Sequence, residues 1–218
     1  MSVSASRSRT LSDPEAYLTD AYQRFVVVVS GPSGAGKSSF VRTLLEQGPD
    51  LEYSVSATTR PRRQHETDGR DYFFLSSDEF QRRVDAGEFV EHAQVHGERY
   101  GTLRSQIEAA LARGKNVLLD IDVQGGQAVR RVYRDGVFIF VLPPSMAVLE
   151  ARLRHRATDP DERIRLRLEN ARREIPMVRE YGYSIVNDDF EEASRRAVAI
   201  VWAERSRTER REPIAAGS

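Results

Sequence analysis

Apolar positions along the chain fall into two kinds of run. Short unbroken stretches rich in β-branched residues occur at residues 25–30 (FVVVVS), 116–122 (NVLLDID), 137–142 (VFIFVL) and 183–187 (YSIVN). Such runs predict strands covered on both faces. Other segments carry helical spacing: SSFVRTLLEQG, closing at Gly48 and Pro49, PPSMAVLEARLRH, a long helix from about Asp161, and a last one from Phe190 to Glu204. In the long helix Ile164, Leu168, Ala171, Ile175 and Val178 fall on one stripe. Buried strands alternating with helices predict an α/β fold, a parallel sheet with helices on both faces.

Residues 51–101 break the rhythm. YSVSATT, RDYFFL and GEFVEHAQVHGERYG read as short strands with polar turns, separated by one short helix near residues 78–84. This predicts an inserted, mixed α/β subdomain at the strand ends, where substrates are usually held. The expected division is a flexible tail at 1–20, one domain at 21–207 and a second flexible tail at 208–218. Within the domain, 21–50 and 103–207 form the core and 51–102 the insert. The first tail has room for a short helix around residues 14–22.

Composition narrows the class. With 39% hydrophobic and 30% charged residues, the 218-residue chain has the balance of a soluble globular domain. Thirty-three basic residues match 33 acidic ones, so no overall field recommends nucleic acid or a membrane as partner, and any anion site must be local. There is no cysteine, which excludes disulfides and thiolate metal sites and is compatible with a cytoplasmic location. The longest apolar run is too short for a bilayer span.

The local anion site is plain. Gly31, Gly36, Lys37 and Ser38 satisfy G-x-x-x-x-G-K-[ST] between a predicted buried strand and a predicted helix, the context that motif needs. Small residues (Gly31, Pro32, Ser33, Gly34, Ala35, Gly36) let backbone N–H groups converge on phosphate oxygens, and the helix N-terminus adds a favourable dipole. Lys37 bridges phosphates and the Ser38 hydroxyl, next to Ser39, is a magnesium ligand. A P-loop NTPase-type sheet binding ATP is the expectation.

The second ligand must come from elsewhere. Residues 54–74 pack hydroxyls, four arginines and a tyrosine into the insert, with Arg60, Arg63 and Tyr72 suited to a phosphate. Glu91, Tyr100 and Thr102 follow, and Asp120 and Asp122 end a buried strand, where period-two geometry points both to one face. His92 and His96 lie four apart on a strand with no third ligand, which does not make a metal site.

Taken together, GPSGAGKSS, SVSATTR, GRDYFF, FVEHAQVHGERYGT, LDIDVQG and IVNDD, in this order over residues 25–204, resemble the guanylate kinase family. The resemblance implies transfer of the γ-phosphoryl of MgATP to GMP or dGMP. Guanine offers N1–H and N2–H donors beside the O6 acceptor, so its site needs carboxylates and hydroxyls. Matching positions are Glu91 and Asp122 for the former and Ser56 and Thr102 for the latter, with the GMP phosphate at Arg60, Arg63, Tyr72 and Tyr100. Asp120 resembles the magnesium-side acid. Arg152, Arg156 and Arg167 flank a helical lid at about 152–168 and reach the ATP phosphates or adenine, joining Lys37 and Arg60 as the catalytic set.

Two departures stand out. The usual T-T-R-x-P-R is here Thr59-Arg60-Pro61-Arg62-Arg63 preceded by Thr58, so Arg62 competes with Arg63, and His65 replaces a glycine before Glu66. The lid's Arg-Gly-Thr is Arg156-Ala157-Thr158. Two rivals follow from the same residues: a kinase of this fold acting on a sugar phosphate, and a non-catalytic guanylate-kinase-like binding module. The retained Lys37 and the guanine-type carboxylates weigh against both. Monomer and homo-oligomer are equally open.

Overall fold

In the computed structural model, residues 18–95, 97–155 and 160–213 are described below. Chain order begins with β1 (Leu18–Tyr22), the valine strand β2 (Val26–Ser30) and α1 (Lys37–Gln47). Next come β3 (Leu51–Tyr53), β4 (Ala57–Thr58), β5 (Phe73–Phe74), α2 (Ser77–Asp85), β6 (Phe89–Val95) and β7 (Glu98–Leu103). The remainder alternates: α3 (Arg104–Ala112), β8 (Asn116–Asp120), α4 (Val123–Val132), β9 (Val137–Leu142), α5 (Met146–His155), α6 (Asp161–Glu174), β10 (Tyr183–Val186), α7 (Phe190–Arg205) and β11 (Arg211–Pro213).

The main sheet has order β10-β9-β2-β8-β3 with every pair parallel. Its central strand explains the unbroken valines. Val27 and Val29 face one helical layer, with Phe40 and Leu44 of α1 and Ala197 and Val201 of α7. Val26 and Val28 face the other, with Ile107 and Ala110 of α3 and Val129 of α4. Alternate side chains thus feed two cores, and no position among the four valines is left for a polar residue. The parallel α/β expectation holds, and α3 and α4 supply crossover helices that periodicity alone left unplaced.

A second, four-stranded sheet of order β5-β4-β7-β6 stands on residues 57–103. Its core is Ala57, Phe80, Phe89 and Leu103, with Phe80 stacked on Phe89 at 4.5 Å. The Ser76 hydroxyl accepts from Glu79 N and starts α2 there. β3, by contrast, pairs with β8 in the main sheet, so the irregular region from residue 51 gives its first strand to the core rather than to the second sheet.

Three further expectations need correction. The helix sketched around residues 14–22 is a strand over Leu18–Tyr22, antiparallel to β11; residues 14–17 lie outside the described ones. Residues 208–213 are not a loose tail, because a 3-10 turn at Thr208–Arg210 leads into β11 and Arg210 is buried. Neither segment has an apolar pattern of its own; a pairing across almost the whole sequence decides both. The long helix stops at Glu174 and becomes a 3-10 turn at Ile175–Glu180, since Pro176 cannot continue α-helical hydrogen bonding. Residues 156–159 of the expected lid lie outside the described residues. No described helix is long and apolar enough to cross a membrane.

Candidate functional site

β2 ends at Ser30 and the chain turns at once through residues 31–36 into α1. A Cβ at Gly31 (φ 141°) would sit 2.2 Å from the Val141 carbonyl oxygen, so the loop can lie against β9 only without a side chain there. Asn187, just after β10, holds the loop from beneath: its Nδ2 donates to Ala35 O at 2.7 Å, its N donates to Leu142 O, and its own carbonyl accepts from Arg152 Nη2 at 2.8 Å. α1 begins with no side-chain cap and no acidic residue in its first turn, which leaves its positive end open to an anion. Lys37 Nζ curls over this loop and donates to Gly31 O at 2.7 Å.

Acidic groups face the loop. Asp120 ends β8 in register with Val29, beside the loop's entry. Burial raises its pKa and the neighbouring Lys37 partly restores it. Asp122 is not a strand residue, because β8 stops at Asp120; it caps α4, with Oδ1 accepting from Gly125 N at 2.7 Å. The two acids still line one cleft, through a strand end and a helix cap instead of strand alternation.

Glu91 comes to the same cleft from the second sheet. On β6 it pairs in register with Thr102 of β7, whose hydroxyl donates to Glu91 Oε1 at 2.6 Å. Burial raises the Glu91 pKa and the Asp122 charge adds to the shift, while the Thr102 hydroxyl opposes it. At Gly125 an added Cβ would lie 3.0 Å from Glu91 Oε2 and 3.3 Å from Asp122 Oδ1. A bare glycine in α4 therefore lets two carboxylates, one from each sheet's side of the cleft, share one wall. Two such acids in a partly dry site call for N–H donors between them.

The cleft encloses about 360 Å³. Ser33, Gly34, Gly36, Lys37 and Ser38 form one side, and Ser56, Tyr72, Glu91 and Tyr100 the other, with Asp120 and Asp122 at the base. Thr102, fully buried, acts from behind Glu91. Tyr72 meets Tyr100 edge to face at 6.0 Å, and the Arg60 guanidinium lies 5.4 Å from the Tyr72 ring centre.

Arg60 is held by a group whose role the sequence did not announce. Glu66 accepts from Arg60 Nη1 and Nη2 at 3.1 and 2.7 Å and from Arg63 N at 2.8 Å. Those bonds, Arg60's first, pull its carboxyl down to about 2. Arg62 Nη1 donates to Glu66 O, whereas the Arg63 side chain is exposed and makes no hydrogen bond among the described residues. Between the two competing arginines, Arg63 is the one whose guanidinium is uncommitted.

The remaining arginines stand apart from the cleft wall. Arg152 reaches the Asn187 carbonyl. Arg167 lines an adjoining recess with Ser33, Asp122 and Glu174. Glu174, also unforeseen, has its pKa raised by burial, with Lys37 lowering and Asp122 raising it. Arg156 lies outside the described residues. His92 lies edge-on to Phe80 and Phe89 at 6.4 and 6.2 Å, and nothing is described of the His96 side chain. Among the described residues no group of three or more His, Cys, Asp or Glu could hold a metal by itself. Ser38 and Asp120, which line one cleft, fit an ion that keeps water and substrate oxygens as its other ligands.

Comparison with known proteins places the chain in a family. The guanylate kinase family model matches residues 23–204. A guanylate kinase of Thermotoga maritima is 48% identical over 183 residues, 84% of this chain and 88% of that protein. One from Rhizobium meliloti is 50% identical over 192 residues, 88% of each. The crystal structure of guanylate kinase from Anaplasma phagocytophilum superposes with a TM-score of 0.70 at 35% identity, covering 89% of this chain and 92% of that one.

Proposed function

The chain belongs to the guanylate kinase family, and from that premise we propose how its cleft works. The activity is ATP-dependent phosphorylation of GMP, giving ADP and GDP. ATP lies with its phosphates over residues 31–39 and GMP lies across the cleft, its purine between Glu91 and Asp122. The observation that carries the assignment is the convergence of these two carboxylates, Glu91 from β6 of the second sheet and Asp122 from the cap of α4, in the cleft that Lys37 also lines.

The purine half follows from donor and acceptor matching. Carboxylates accept guanine N1–H and N2–H; the Ser56 hydroxyl on the cleft wall stands ready for O6, while Thr102, whose hydroxyl proton goes to Glu91, holds that carboxylate from behind instead of meeting the base. Adenine presents an acceptor where guanine presents N1–H, which would leave a buried carboxylate facing a lone pair, so it is rejected. Arg60, Arg63, Tyr72 and Tyr100 take the GMP phosphate, with Glu66 fixing the Arg60 fork.

In the reaction a GMP phosphate oxygen attacks the γ-phosphorus and the bond to the β–γ bridging oxygen breaks. The attacking oxygen is already anionic at neutral pH, so no general base is needed; positioning and charge neutralisation do the rest. Lys37 exchanges its bonds to the Gly31 and Pro32 carbonyls for phosphate oxygens. Arg152, Arg156 and Arg167 approach the ATP phosphates as the lid region closes and excludes water. Magnesium, arriving with ATP, would be held by Ser38 and Asp120 and would neutralise phosphate charge. The same division makes 57–102 the GMP-holding unit and the main sheet the ATP-holding one.

A coupled assay of ADP release with GMP, dGMP, AMP, UMP and CMP tests the reading. GMP should be turned over with kcat/KM about a thousandfold or more above AMP. Comparable rates for AMP, or release of ADP without any acceptor, would overturn it.

A further inference from the structure

A second recess lies at the opposite end of the main sheet's strands from Lys37. The strands are parallel and the phosphate loop follows the carboxyl end of β2, whereas Gly136 and Phe138 at the start of β9 and Gly182 and Tyr183 at the start of β10 line this recess. It encloses about 470 Å³, the size of a small-ligand site.

Its charges are unevenly committed. Four guanidiniums and three carboxylates line it. Glu204 is taken by Arg210 Nη2 at 2.9 Å and by the Tyr183 hydroxyl, and Glu209 by Arg207 Nε at 3.4 Å. That leaves Arg130 and Arg134 against Asp135. Arg130 lies over the Phe138 ring at 4.2 Å with Tyr181 at 5.8 Å on the same guanidinium, and its Nη2 is sealed from solvent without a hydrogen-bond acceptor. Arg134 is exposed, and its side chain makes no hydrogen bond or ion pair among the described residues. A guanidinium fixed on aromatic faces keeps its charge and its fork in one orientation, which is the arrangement that suits a tetrahedral oxyanion. A second, movable guanidinium four residues on completes a two-pronged clamp.

We propose that this recess binds a phosphoryl anion, bare or carried on a nucleotide, through Arg130 and Arg134. The Asp135 carboxylate, on the same lining, repels such an anion and lowers its affinity. The site is separate from the catalytic cleft and does not depend on which nucleotide the cleft takes.

The test is equilibrium binding at low ionic strength to the full chain, with the cleft saturated by GMP and a non-hydrolysable ATP analogue. Radiolabelled pyrophosphate is the probe in one arm and labelled GTP in the other. One further site per chain is expected, weakened about tenfold or more by Arg134→Glu and tightened several-fold by Asp135→Asn. Both variants should keep kcat and KM for GMP within about twofold of the parent, since neither residue lines the cleft. Equal affinity for the two probes assigns a bare phosphoryl group, and markedly tighter GTP assigns a nucleotide. No additional site, or one indifferent to both substitutions, overturns the proposal.

Discussion

At Glu91 a carboxylate is kept in a place that disfavours its charge, and the cost is legible in its raised pKa. Glu91→Gln preserves shape but offers an amide N–H to a guanine N–H, so KM for GMP should rise about a hundredfold, the equivalent of ~3 kcal/mol, with the preference over AMP largely lost. The same group predicts a pH effect. A carboxyl whose folded pKa is raised binds its proton more tightly in the folded state, so the parent loses stability as pH climbs from the usual carboxylate range through the raised value. The substituted amide does not titrate and has no such loss. In thermal melts without ligand, Glu91→Gln should gain on the parent across that window and hold the gain above it; a constant difference at all pH values would refute the assignment. Lys37 belongs to the other half of the cleft. Lys37→Ala should lower kcat by roughly 10³ or more while moving GMP affinity little, and near-normal turnover would remove Lys37 from the phosphate site.

Among the elements, the phosphate loop depends for its shape on a distant residue. Asn187→Ala deletes the donor to Ala35 O and leaves that buried carbonyl unpaired, a loss of about 1–3 kcal/mol. Because the loop carries ATP, KM for ATP should rise more than KM for GMP; the reverse split would show that Asn187 serves stability alone. The IVNDD stretch is visible in the sequence, but nothing local says that its asparagine reaches back 152 residues. Legibility follows locality throughout. The valine strand, α1 and the loop between them are readable because pattern and turn chemistry sit in one short window. For Asp120 and Asp122 the sequence points to the cleft they line but to the wrong geometry, since a helix cap and a strand end look alike in an apolar-acid alternation. Two-residue strands such as β4 and β5 have no periodicity to read; their partners make them.

Over the whole molecule, the two ends of the described chain meet in the β1–β11 ribbon, and Arg210 anchors it. Its guanidinium joins Glu204 in a pair where the two side chains are 9% and 4% exposed. Burial alone would raise the Glu204 pKa, but Tyr183, Arg210 and Arg207 together bring it below the usual value, so the acid stays charged. Removing one partner of such a pair strands the other, and Arg210→Ala should destabilise the fold by about 3 kcal/mol, measured by urea unfolding. An unchanged midpoint would mean that solvent already reaches Glu204. Leu18 and Pro213 are register partners across the ribbon, so the backbone leaves the domain where it enters it. A gene rearranged to fuse residue 213 to residue 18 through a short bridge, with new ends cut at the Gly114 turn, should therefore yield a working enzyme whose first segment is β8.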